Sequence, residues 1–138
     1  MRTTLNILFS LLLLVGITGC AKHELDVAEL TTNPFDPDYV GADIFSVVST
    51  ATSTYTVEGV EYQRLNMRVK VHTELFPRIS TYLVDQDGAP VIASSSMPDN
   101  ELTVQFLDVD PGVTYCRRLY LYNDGVRGGS NEVCGTAE

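Results

Sequence analysis

The sequence predicts an all-β sandwich of about seven short strands. Three observations carry that prediction. Apolar and polar residues alternate at period two in several separate stretches, the pattern of strands with one buried and one wet face. Glycine-containing turn signals separate these stretches, as in sandwiches built from short strands. No stretch of helical period exceeds two turns, and there is no internal repeat or low-complexity segment.

The elements follow in chain order. Ile44 to Thr50 is rich in β-branched residues and reads as the first strand. Leu65, Met67, Val69 and Val71 alternate with Asn66, Arg68, Lys70 and His72 over eight residues. Ile79, Thr81 and Leu83 alternate with Ser80, Tyr82 and Val84, and Asp87-Gly88 then reads as a hairpin turn. Leu102, Val104 and Phe106 alternate with Thr103 and Gln105. After a strand beginning near Tyr115, Asn123-Asp124-Gly125 and Gly128-Gly129 mark a further turn.

The first 40 residues differ from the rest. Arg2 gives a basic start, and Leu5 to Ile17 is apolar apart from Asn6, Ser10 and Gly16. A charged start, an apolar run of about 7–15 residues and small residues at a cleavage point make a secretory signal. The run is too short for a span that needs about 20 apolar residues. Ile17-Thr18-Gly19-Cys20 resembles the bacterial lipobox, in which an aliphatic residue and two small ones precede the lipidated Cys. That resemblance implies a signal peptide at 1–19, diacylglyceryl on the Cys20 thiol and a membrane-anchored mature chain. Each buried lipid CH₂ contributes about 0.8 kcal/mol, and two or more chains make anchoring stable. Ala21 follows the Cys where Asp is the usual inner-membrane retention signal, so the same resemblance favours the outer membrane. Lys22 with Glu24 and Asp26 faintly resembles the export signal of surface-exposed lipoproteins. Pro34 and Pro37 block helix and ladder, so residues 20–40 are expected to be a tether and 41–138 the domain.

Charge narrows the partners. The chain carries 9 basic and 18 acidic residues, a formal −9, and removing Arg2 with the signal leaves −10. A nucleic acid partner is not expected, because phosphate neutralisation needs clustered Lys and Arg. With Cys20 assigned to lipid, Cys116 and Cys134 remain. An exported chain meets oxidising conditions, so a disulfide is one expectation and two free thiols another. Zinc is the weaker alternative, because His23 and His72 lack ligand spacing to the cysteines.

The segment that specifies the fold begins at Val109-Asp110-Pro111-Gly112-Val113-Thr114-Tyr115. It continues through Cys116 to Asn123, a glycine loop, and Ser130-Asn131-Glu132-Val133. This resembles the end of a fibronectin type III domain, and more closely the versions in bacterial surface proteins. Those end with Tyr-x-x-Arg-x-Tyr-x-x-Asn, a glycine loop and Asn-Glu-Val, matched here by Tyr115, Arg118, Tyr120, Asn123, Asn131, Glu132 and Val133. The resemblance implies an immunoglobulin-like, fibronectin type III-like sandwich with Tyr115 as the tyrosine corner, its hydroxyl bonded to upstream backbone. Two features depart from the pattern. There is no Trp, and Arg117 sits in a phase that Tyr115, Leu119 and Leu121 predict to be inward. Arg117 is expected to snorkel at the sheet end or to mark a bulge. In that phase Cys116 and Cys134 both point outward, with Cys134 expected opposite Leu119, about three residues from Cys116.

No catalytic motif is present, and no cofactor or metal is implied. Asp85-Gln86-Asp87-Gly88 resembles the start of a calcium loop but lacks its later acidic positions, so a turn is expected. Asp36, Asp38 and Asp43 could bind calcium only loosely, and His72 reads as an ordinary surface residue. Among the tyrosines Tyr82, Tyr120 and Tyr122, the last two are expected to lie outward beside Arg118, a combination common on binding surfaces. The expected function is therefore a non-enzymatic lipoprotein that binds a protein partner at the outer membrane. A carbohydrate-binding lipoprotein using the exposed tyrosines, or a purely structural envelope protein, are the alternatives.

Overall fold

Two antiparallel sheets face each other in the computed structural model, which describes residues 32–123 and 125–138. Seven strands build them: β1 (Phe45–Val57), β2 (Val60–Val71), β3 (Leu83–Gln86), β4 (Ile92–Ala93), β5 (Glu101–Leu107), β6 (Thr114–Asn123) and β7 (Val126–Thr136). The three-stranded sheet runs β1-β2-β5 and the four-stranded sheet β4-β3-β6-β7. This is the seven-strand, all-β sandwich that the alternating pattern predicts.

The alternation decides which atoms meet between the sheets. Leu65, Met67, Val69 and Val71 of β2 are buried, as are Leu102 and Val104 of β5, while Leu119, Leu121 and Val133 come from the facing sheet. With no indole available, aromatic rings fill one end: Phe35 and Tyr82 each meet Phe76 edge-on, at 5.2 and 5.3 Å between centroids. The phase of β3 is the reverse of that suggested by Ile79, Thr81 and Leu83. Tyr82 and Val84 are buried, whereas Ile79 and Thr81 lie outside any strand and are exposed. Short strands offer few positions to fix a phase, and the burial of one large ring outweighs two small β-branched residues.

Turn chemistry accounts for the hairpins. Glu58 and Gly59 both take positive φ, 51° and 81°, between the paired Val57 and Val60. Two positive-φ residues make the turn whose twist matches the flanking strands, and glycine is the natural occupant of the second. The Asp87-Gly88 turn joins β3 to β4, with the Ala89 N–H donating to the Gln86 carbonyl at 2.8 Å. The β6–β7 turn closes between Asn123 and Val126.

Gly128-Gly129 is a correction to the sequence reading, for the pair lies inside β7 rather than in the turn. Both glycines are there for close approach. A Cβ on Gly128 would stand 2.8 Å from the Phe35 backbone, and one on Gly129 would stand 2.8 Å from the Pro34 carbonyl oxygen and Ile44 Cδ1. The Gly129 N–H donates to that carbonyl at 2.8 Å. The described end of the expected tether is accordingly seated on the sandwich: Pro34 is buried and Phe35 packs on the core.

The sheets are also tied by one side chain. Asn131 on β7 accepts at Oδ1 from the N–H groups of Ile44 (3.0 Å) and Phe45 (2.9 Å), and donates from Nδ2 to the Phe45 carbonyl at 2.8 Å. Ile44 and Phe45 are almost fully buried, so this amide supplies partners that water could not.

Candidate functional site

The end of the chain builds the outer face of the four-stranded sheet. Along β6 the residues alternate strictly: Leu119 and Leu121 go into the core, and Cys116, Arg118, Tyr120 and Tyr122 face out. Val109-Asp110-Pro111-Gly112 delivers the chain to this strand. The Tyr115 hydroxyl accepts from the Asp110 N–H at 2.8 Å, the bond back to upstream backbone expected of it. Arg117, in the inward phase, lays its guanidinium over the Phe106 ring at 4.7 Å from the centroid. It reaches the sandwich margin without a bulge at its own position, since the β6–β7 register shift falls between Tyr120 and Tyr122.

Cys116 and Cys134 stand directly opposite each other, with Cα atoms 4.1 Å apart and their sulfurs joined as a disulfide. The offset of three residues expected from the sequence is thus corrected. That offset came from counting Gly128-Gly129 as turn; the turn closes earlier, at Asn123/Val126, and the strands slide into direct alignment. Glu132 lies close to the two sulfurs. Both sulfurs are spent in the bridge, and a disulfide has no thiolate to offer a metal.

Above the disulfide, Arg118 lies opposite Glu132, and Tyr120 is flanked by Asp85 on β3 and Ser130 on β7. Arg127 crosses this face. Its guanidinium stacks over Tyr120 at 4.3 Å from the ring centroid, donates from Nε to Asp85 Oδ2 at 2.5 Å, and reaches Asp87 Oδ1 at 3.2 Å. The bond to Asp85, and more weakly that to Asp87, holds the guanidinium pKa above its usual value. Asp85 and Asp87 both accept from this one guanidinium, and Asp85 is buried. Beside this cluster a cavity of about 410 Å³ is lined by Asp87, Phe106, Arg118, Tyr120 and Glu132 with the Cys116 edge of the disulfide.

Tyr82 does not belong to this surface. It is 5 % exposed, its hydroxyl donates to Asn100 Oδ1 at 3.0 Å, and burial pushes its pKa up. Arg127 and Asp85 are the residues that the sequence reading missed. Arg127 stands between Gly125 and Gly128, where the glycines mask the strand it belongs to. Cys20, with the whole of 1–31, lies outside the described residues. Among the described residues no helix is long and apolar enough to cross a membrane. The chain matches no protein-family model, no curated protein and no solved structure.

Proposed function

We propose that the chain is a non-enzymatic, lipid-anchored fibronectin type III-like module. It binds a protein partner on the outer face of its four-stranded sheet, from the outer membrane. The observation that carries the reading is the fixed cluster of Arg127 over Tyr120, clamped by Asp85 and Asp87, next to exposed Arg118. Tyrosine and arginine dominate protein-binding hot spots, and a cluster already held in place loses little side-chain entropy on docking. The strand order and the Tyr115–Asp110 bond support the fibronectin resemblance. The Ile17-Thr18-Gly19-Cys20 sequence supports the anchor. A sugar ligand at this face is disfavoured because the Arg127 guanidinium already occupies one side of the Tyr120 ring.

Photo-crosslinking of the full chain in its own cells tests the docking face, with the crosslinker at position 122 and, as control, at position 105 on the opposite sheet. One stoichiometric protein adduct at 122, lost in Arg118→Ala, is the expected result. Equal labelling from both positions sinks the proposal. Intact mass of the membrane-extracted protein tests the anchor separately: diacylglyceryl on a chain starting at Cys20 is expected, and an unmodified chain of 138 residues rejects it.

A further inference from the structure

The opposite face of the sandwich carries a different chemistry. On β2, whose odd-numbered residues from Leu65 to Val71 fill the core, the outward row reads Tyr62, Arg64, Asn66, Arg68 and Lys70, with His72 just past the strand's end. Three of the eight basic residues that follow the signal sequence therefore stand in one line. Alternate residues on a strand are about 6.6 Å apart, so Arg64 to Lys70 spans about 20 Å. Two carboxylates answer the three cations: Glu101 on β5, which stands opposite Lys70 and pairs with Arg68 while the Arg68 side chain stays 60 % exposed, and Glu74, which lies in the field of Lys70. Glu74 closes the far end of the row, bonded to His72 at 2.6 Å.

This row is not edge protection. Charged residues commonly guard exposed sheet edges, but β2 is the central strand, paired with β1 on one side and β5 on the other. Like charges repeated along its wet face repel one another, and a bound anion would relieve that repulsion. The remaining groups fit a sugar chain. Arg64 is oriented by Ser53, to which its Nε donates at 3.0 Å. Asn66 and Gln105 are aligned by their own hydrogen bond at 2.8 Å, which leaves planar amides facing solvent beside the row. At one end Tyr62 stacks with Tyr55, 5.6 Å between centroids at 26°, and exposed Val57, Val60 and Leu107 extend the apolar surface there.

From this charge complementarity we infer that the β1-β2-β5 face binds a linear polysaccharide carrying carboxylates. Guanidinium forks take carboxylates in two-point contact, amides serve hydroxyl groups, and the tyrosines take an apolar sugar face at the end. A peptide cannot extend β2 itself, because both its backbone edges are used from Arg64 to Lys70; strand addition would fall on the outer edges of β1 or β5, away from the basic row. The proposal uses the sheet face opposite to the docking surface above and does not depend on it.

Polygalacturonate, with its fully methyl-esterified form as the uncharged control, is the probe. Titration of the full chain is expected to show saturable binding to polygalacturonate that weakens with salt and is absent for the ester. The double variant Arg64→Gln/Arg68→Gln, checked for an unchanged melting temperature, is expected to bind more than 10-fold more weakly. Arg118→Gln on the other face is expected to bind as the parent does. Equal binding of the ester, equal loss in Arg118→Gln, or tighter binding of single-stranded DNA or anionic phospholipid vesicles through the same arginines would overturn the proposal.

Discussion

The two sheets turn unlike surfaces to solvent. On the four-stranded sheet one guanidinium is clamped by two carboxylates, Arg127 by Asp85 and Asp87, beside the Cys116–Cys134 disulfide, while Arg118 and Glu132 stand on neighbouring strands. On the three-stranded sheet the row Arg64, Arg68 and Lys70 meets two carboxylates, Glu101 and, at its end, Glu74. The first surface is organised around one two-carboxylate clamp, and the second around a line of like charges. The contrast teaches that both faces can follow the same alternation, apolar in and polar out, yet serve different ends. Alternation decides burial. The balance of charge within the wet half decides what a face can attract.

The largest effect should come from where the two faces are held together. Asn131→Ala strands the N–H groups of Ile44 and Phe45, each 1 % exposed, and leaves the Phe45 carbonyl without its donor. A buried group left without a partner costs about 1–3 kcal/mol. The expected loss for the pair of N–H groups is therefore about 2–6 kcal/mol, a large part of the stability of a domain of this size. Urea unfolding checks it. A loss below about 1 kcal/mol would mean that water replaces the amide and that the seam is loose. Asn131→Asp is the finer probe: it keeps the two accepted bonds but replaces the donor with an acidic oxygen set against the Phe45 carbonyl.

Next is the disulfide, which belongs to one face alone. Cys116→Ser/Cys134→Ser opens a loop with a sequence separation of 18, worth about 3 kcal/mol in the chain-entropy account. Unfolding in denaturant should show that loss. Polygalacturonate binding, which uses the opposite face, should survive in conditions where the variant is folded. If both properties fall together, the faces are coupled through the core and their separation is wrong.

Legibility in the sequence followed the length of each signal. The eight-residue alternation from Leu65 to His72 and the Pro-Gly-to-Tyr115 segment were readable, because many residues agree on one phase and one turn. Tyr82 was not. The stretch before β3 is short, and the aromatic contact with Phe76 that fixes it is made across the five irregular residues 77–81. The register of Cys116 and Cys134 failed for a single reason: Gly128-Gly129 looks like a turn in one dimension and is a close approach to Pro34 and Phe35 in three. The Arg64-Asn66-Arg68-Lys70 row was visible as the wet half of a strand. Its meaning depends on β2 being central, and strand order is not written locally.

The smallest expected effect gives the sharpest comparison. Arg127→Ala and Arg68→Ala each remove one guanidinium that is bonded to a carboxylate, one on each face. They differ in what is left behind. Arg127→Ala leaves Asp85, only 12 % exposed in its side chain, without its cation, whereas Arg68→Ala leaves Glu101, 22 % exposed, and removes a bridge whose arginine is 60 % exposed, a bridge of the surface kind. Exposed bridges contribute about 0–1 kcal/mol, so Arg68→Ala should leave the melting temperature within the scatter of repeated scans. Arg127→Ala should lower it reproducibly, and should also alter the near-ultraviolet dichroism of Tyr120 by uncovering its ring. Salt sharpens the test further, because screening acts on exposed pairs more than on sheltered ones. Raising ionic strength should therefore leave the gap between the parent and Arg127→Ala largely in place, and should erase whatever small gap separates the parent from Arg68→Ala. The reverse ranking would mean that the four-stranded face is as open as the other, and that its arginine cluster is not held in place for a partner.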